Sequence, residues 1–86
     1  MPEICRFYGI VIKMFFQDHS PAHFHAEYQD YEALIDINSL EIITGDLPAR
    51  AKGMVMEWAA LHKSELIDDW NKAQVPETLF KIEPLK

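Results

Sequence analysis

Between Ile10 and Ile37 the apolar side chains keep returning on alternate positions, and that spacing constrains the fold more than any other feature of the chain. Successive side chains of a strand point to opposite faces, so a two-residue period calls for a sheet with one buried face. In "GIVIKMFFQ", residues 9–17, the alternating set is Ile10, Ile12, Met14 and Phe16. In "HFHAEY", residues 23–28, Phe24, Ala26 and Tyr28 face one way and His23, His25 and Glu27 the other. "YEALIDI" follows after only Gln29 and Asp30, the length of a hairpin turn, and extends the apolar face through Tyr31, Ala33, Ile35 and Ile37. A short fourth strand over residues 40–44 fits after the polar pair Asn38 and Ser39. The first half therefore reads as an antiparallel β-meander of three or four strands over about residues 4–44.

Register follows from the turn. With Tyr28 and Tyr31 flanking it, Glu27 faces Glu32, His25 faces Leu34 and His23 faces Asp36. Matching the apolar faces of the first two strands sets Phe16 near Phe24 and Met14 near Ala26, which brings Lys13 to Glu27 and Phe15 to His25.

The period changes after "TGD". With Asp46 as N-cap and Pro48 in the first turn, the spacing predicts one long helix over about residues 47–73. Ala51, Val55, Trp58, Ala59, His62, Leu66, Trp70 and Ala73 form one stripe, with Gly53, Glu57, Ala60, Ser64, Asp68 and Asn71 opposite. Asp69, beside the stripe, is the one poor fit. A straight helix of the 26 residues from Pro48 to Ala73 measures roughly 39 Å, which favours a bend near Gly53 or an overhanging end. Residues 74–86 read as a short extended tail that packs back as an edge strand. The expected fold is α+β: a single domain over 1–86, the meander carrying the helix on its apolar face.

Size and charge limit function. A chain of 86 residues buries only about 60 to 65% of its unfolded surface, so a large enclosed cavity is not expected. Eight Lys and Arg against fourteen Asp and Glu give a net charge of −6, which disfavours direct nucleic-acid binding and suits docking onto a basic partner. The single cysteine, Cys5, makes no internal disulfide, and no apolar run is long enough to span a membrane, so a cytoplasmic location is expected.

The stretches "FYGIVIKMFFQDHSPAHFHAEYQDYEALIDI", "GDLPARA", "VMEWAALHKSELIDDW" and "KIEPL" resemble the domain-of-unknown-function family numbered 4160, small bacterial proteins. Where that family typically shows two prolines before the second histidine, this chain has Pro21 and then Ala22. Members are often encoded beside a second small protein, of the domain-of-unknown-function family numbered 2442, in an arrangement like a toxin–antitoxin pair. The resemblance implies a partner protein and brings no established activity.

The histidines of "HSPAHFH" carry the chemistry. His23 and His25, two apart on a strand, point the same way, and His19 in the preceding loop can close a three-imidazole site for zinc or a similar transition metal. Asp36, opposite His23, is placed to orient that ring. The plainer reading is an exposed strand showing two solvated histidines. His62 falls on the apolar stripe, either as a core histidine or, with Trp58, as the lining of a pocket between helix and sheet. Helix over one face puts His62 on one side of the sheet and His23 and His25 on the other. Met54, Met56, Leu61 and Ile67 flank the stripe and form a candidate surface for a partner or a homodimer.

Three functions compete on these residues. A protein-binding module, one half of a two-gene pair, is favoured. A metal-binding protein, in one form a metal-dependent hydrolase, is the main alternative. A metal-independent RNA-cleaving toxin is the third, weakened because Lys13 alone offers a cation on that face. Whether the chain is an enzyme is left open by its residues.

Overall fold

The computed structural model describes residues 3–75 and 78–85. Among the described residues five strands, β1 (Glu3–Phe7), β2 (Ile10–Lys13), β3 (His23–Tyr28), β4 (Tyr31–Asp36) and β5 (Ile42–Gly45), form one antiparallel sheet in the order β1-β2-β3-β4-β5. Two helices follow, α1 (Ala49–Leu61) and α2 (Lys63–Gln74). The α+β class is as expected, but the sheet has five strands rather than three or four.

The added strand is β1. Its pairing with β2 shifts register between Glu3 and Cys5, and Ile4 and Cys5 are both buried. That irregularity breaks the two-residue period, so the segment carries no clean alternation. Tyr8 and Gly9, at φ 49° and 81°, make the two-residue turn into β2.

Pairing of β3 with β4 follows the predicted register residue for residue, from Tyr28 opposite Tyr31 to His23 opposite Asp36. Pairing of β2 with β3 does not: Ile12, not Met14, lies opposite Ala26, and Lys13, not Phe15, opposite His25. The strand stops at Lys13, Met14 is the last buried residue of the run, and Phe16 is 46% exposed. Both corrections have one cause, because alternation continued into a loop that leaves the sheet. At the far edge Gly45 takes φ 79°, and a Cβ there would strike the Glu32 carbonyl oxygen, so glycine is required.

The expected single helix is two. The break falls at His62 (φ −121°, ψ 26°), not near Gly53. The longest dimension of the molecule is 34 Å, shorter than a straight 26-residue helix of roughly 39 Å, and the turn at His62 keeps α2 over the sheet. The stripe stays in phase across the break: Ala51, Val55, Trp58, Ala59, Leu66, Trp70 and Ala73 are all buried. Asp46 does not cap α1, since its carboxylate accepts the Leu47 N–H and Pro48 holds the N-cap position. Trp58 centres the core, its ring 5.5 Å from Phe7 and 5.9 Å from Phe24.

The described part of the tail returns along β1 without forming a strand. Ile82 is buried and its N–H donates to the Ile4 carbonyl (2.9 Å), the Trp58 indole N–H donates to the Glu83 carbonyl (2.7 Å), and the Phe80 N–H donates to Asp69 Oδ1 (3.0 Å). Residues 76, 77 and 86 of the predicted tail lie outside the described residues. No helix among the described residues is long and apolar enough to cross a membrane.

Candidate functional site

The connection from β2 to β3, residues 14–22, is held at two points. The Gln17 N–H donates to the Ala73 carbonyl at the end of α2 (2.9 Å), and the Ile37 N–H donates to the Ala22 carbonyl (3.0 Å). Gln17 takes φ 54°, and this reversal brings Asp18 back against the start of β3.

There Asp18 meets the two strand histidines. Its Oδ2 lies 3.0 Å from His23 Nε2 and 3.5 Å from His25 Nε2. One ligand atom from each of the three residues lies within 4.8 Å of the others. Strand alternation puts both imidazoles on one face, with ring centroids 5.3 Å apart. The two rings are not solvated. The side chains of His23 and His25 are 4% and 13% exposed, because Trp70 packs 5.1 Å from the first ring and Phe15 lies edge-on at 4.4 Å from the second. Trp70 belongs to the helical layer, so at residue 23 the sheet does not separate its two sides as alternation alone implies.

Hydrogen-bond geometry places one hydrogen on His23. Its Nδ1 lies 2.7 Å from the Pro21 carbonyl, which can only accept, so Nδ1 carries a hydrogen. In the neutral ring Nε2 is then a bare acceptor, and it faces the carboxylate of Asp18, another acceptor, at 3.0 Å. Two acceptors at that distance need a cation between them, a proton or a metal ion. For Asp18, burial pushes the carboxyl pKa upward, but the His19 backbone N–H, the hydrogen bond from His25 and the charge and hydrogen bond of His23 outweigh it and hold the group below its ordinary value.

His25 is the complementary case. Its Nδ1 is buried with no hydrogen-bond partner among the described residues; Glu32 Oε2 stands 3.4 Å away, within ion-pair range but outside hydrogen-bonding geometry. With Nε2 given to a cation, Nδ1 keeps the hydrogen and Glu32 is the acceptor at hand.

Dimensions suit a zinc-type ion. Donors roughly 2.05 Å from a tetrahedral centre lie roughly 3.3 Å apart, and two imidazole centroids on such a centre lie roughly 5.2 Å apart. The two Asp18–histidine spacings of 3.0 and 3.5 Å and the 5.3 Å between ring centroids are close to those values, while the three donors together span up to 4.8 Å, so an ion would draw them inward.

The remaining candidates lie outside this three-residue group, His19 at its edge and the others farther away. His19 Nδ1 lies 3.2 Å from Asp18 Oδ1, with its side chain 94% exposed and its ring centroid 6.5 Å from that of His23. Asp36 faces His23 in register, yet its Oδ1 accepts the N–H groups of Asn38 and Ser39 and so holds the following turn. The His62 ring lies at a tilt 5.6 Å from Trp58, and its Nδ1 pairs with Glu65 Oε1 at 2.6 Å. His62 lines a groove of about 560 Å³ with Glu57, Leu61 and Glu83, between α1 and the tail rather than between helix and sheet. Met54, Met56 and Ile67 pack against the core, whereas Leu61 is 69% exposed. The buried thiol of Cys5, on β1, has no part in the histidine cluster.

Asp18 is the member that the histidine motif leaves out. A signal for it was present: an acid five and seven residues before two strand histidines, in a connection short enough to return.

The family model of a domain of unknown function, DUF4160, matches residues 9–71 of the chain, a span that includes Asp18, His23 and His25. No curated protein and no solved structure matches it.

Proposed function

The chain belongs to the DUF4160 family, a domain of unknown function, and from that premise we propose that it is a metal-binding module holding one zinc-type divalent ion on His23 Nε2, His25 Nε2 and Asp18 Oδ2. The observation that carries this reading is the facing pair of acceptors, His23 Nε2 and Asp18 Oδ2, 3.0 Å apart while Nδ1 is committed to the Pro21 carbonyl. A ligating histidine ordinarily donates its other N–H to a carbonyl or carboxylate, and the Pro21 carbonyl and Glu32 stand in those places. Two imidazoles and a carboxylate suit zinc, and a bound zinc ion supplies Lewis acidity or a rigid crosslink. The chain's own residues set the ring orientation: Trp70 and Phe15 pack against the two rings, the Pro21 carbonyl directs the His23 lone pair, and Glu32 is the acceptor within reach of His25 Nδ1.

Elemental analysis and zinc titration of untagged protein test the proposal. Near-stoichiometric zinc, lost on His23→Ala and weakened by more than about tenfold in Asp18→Asn, is the expected result. Protein that takes up no zinc, cobalt or other transition ion at micromolar levels overturns it, and leaves a proton as the cation of the cluster.

A second reading, contact with a small partner protein, draws on exposed Leu61 beside Pro84 and Leu85 in the groove between α1 and the tail. The resemblance to proteins encoded in pairs supports it. Co-purification with the neighbouring gene product that survives chelator and is lost in Leu61→Glu is its signature.

A further inference from the structure

We propose that His19 is the fourth ligand of the ion, so that the loaded site is closed by three imidazoles and one carboxylate and leaves no corner for water or substrate. The inference rests on the metal-binding reading above and concerns what completes the coordination shell.

Asp18 ties His19 to the cluster twice. Its Oδ1 accepts the His19 backbone N–H at 2.9 Å, which holds the backbone of residue 19 next to the carboxylate, and the His19 ring Nδ1 lies 3.2 Å from the same oxygen. That ring is 94% exposed, so no packing has to be broken for it to turn. Its centroid is 6.5 Å from that of His23, against roughly 5.2 Å for two imidazoles on one tetrahedral ion, so the ring lies outside the shell and must swing inward to join it. Rotation about the side-chain bonds of a solvated residue gives that freedom, at the cost of rotamer entropy and of the exposed Nδ1 contact with Asp18 Oδ1.

The other donor in reach is ruled out by which nitrogen it approaches. Glu32 stands beside Nδ1 of His25, the nitrogen turned away from the ion, and so takes the outer place rather than a ligand's. Zinc sites with four protein ligands serve structure, whereas those with three keep a position for chemistry. With His19 bound, the ion clasps residues 18–25 and changes what that loop presents to solvent. A neutral imidazole is also the donor that adds no further negative charge beside Asp18 and Glu32.

X-ray absorption at the zinc edge of the loaded full-length protein counts the imidazoles directly. Three rings and one oxygen donor are expected in the wild-type chain, and two rings with added oxygen in His19→Ala. Cobalt-loaded wild-type protein should show the intense visible bands of a four-coordinate centre, with band positions that move in His19→Ala. Zinc affinity should fall by more than about tenfold in the same variant. Two imidazoles in the wild type, or spectra and affinity unchanged by His19→Ala, overturn the inference while the metal-binding reading stands. Failure of the wild type to bind zinc overturns both.

Discussion

Replacing glycine by alanine at residues 53 and 45 should move stability in opposite directions, and the two signs together test where the chain bends. Gly53 lies in α1 with nothing within 4 Å of an added Cβ. If α1 is regular there, Gly53→Ala changes only intrinsic propensity and stabilises by about 0.8 to 1 kcal/mol. For a chain of this length such a gain raises the melting temperature by about 4 to 8 °C. Gly45 differs in both respects that matter. Its φ is 79°, costing an L-residue about 1 to 2 kcal/mol, and the new Cβ collides with the Glu32 carbonyl oxygen, which also accepts the Asp46 N–H at 3.2 Å. The obstacle is backbone, with Ala33 Cα a further 3.1 Å contact, so β5 must part from β4. Gly45→Ala should therefore destabilise by about 3 kcal/mol or more. Urea denaturation followed by far-ultraviolet circular dichroism, with the slope held common, measures both. Destabilisation by Gly53→Ala would mean that the helix bends at residue 53 instead of at His62. A Gly45→Ala change within about 1 kcal/mol of the wild type would mean that β5 is not paired as described.

Two further predictions concern carboxylates. Asp69 is buried with one oxygen holding the Phe80 N–H and the other without a partner among the described residues, and burial drives its pKa up against the Phe80 N–H and Lys72, with Asp68 and Glu65 adding to the rise. Its folded-state pKa exceeds the unfolded one, so its unfavourable contribution is absent at low pH and grows as pH rises from the unfolded value through the folded value; the pH profile of urea midpoints should show this slope, and Asp69→Asn should remove it. Glu32→Gln, at a half-exposed position, should weaken zinc binding by about 10- to 100-fold with little effect on the metal-free melting temperature; equal affinity in calorimetric titration would show that Glu32 does not orient His25.

How much of this was legible in the sequence depended on whether a local rule was left undisturbed. The β3–β4 register could be read because a two-residue turn and an unbroken alternation agreed on it. β1 could not, since the irregularity between Glu3 and Cys5 puts neighbouring side chains on the same buried side. The position of the helix break was hidden for a different reason: length called for a bend, but the apolar stripe passes through His62 in phase and marks no break there. At the site, the pairing of His23 with His25 is a property of strand geometry and was readable. Asp18 and its path back to them depend on the reversal at Gln17 and its bond to Ala73, contacts between segments far apart in the chain. Asp36 shows the converse, a residue correctly placed opposite His23 whose carboxylate is engaged by its own turn.

The two tryptophans have unequal surroundings, and this gives the molecule a pair of built-in optical probes. Trp70 packs at a tilt against His23, so its emission should be quenched or shifted when that imidazole gains a positive charge or a metal. Trp58 is sealed in the interior and tethered to the Glu83 carbonyl, so its emission should follow release of the C-terminal segment and unfolding of the centre. Single-tryptophan variants would thus separate events at the histidine cluster from loosening of the whole chain, with no label attached.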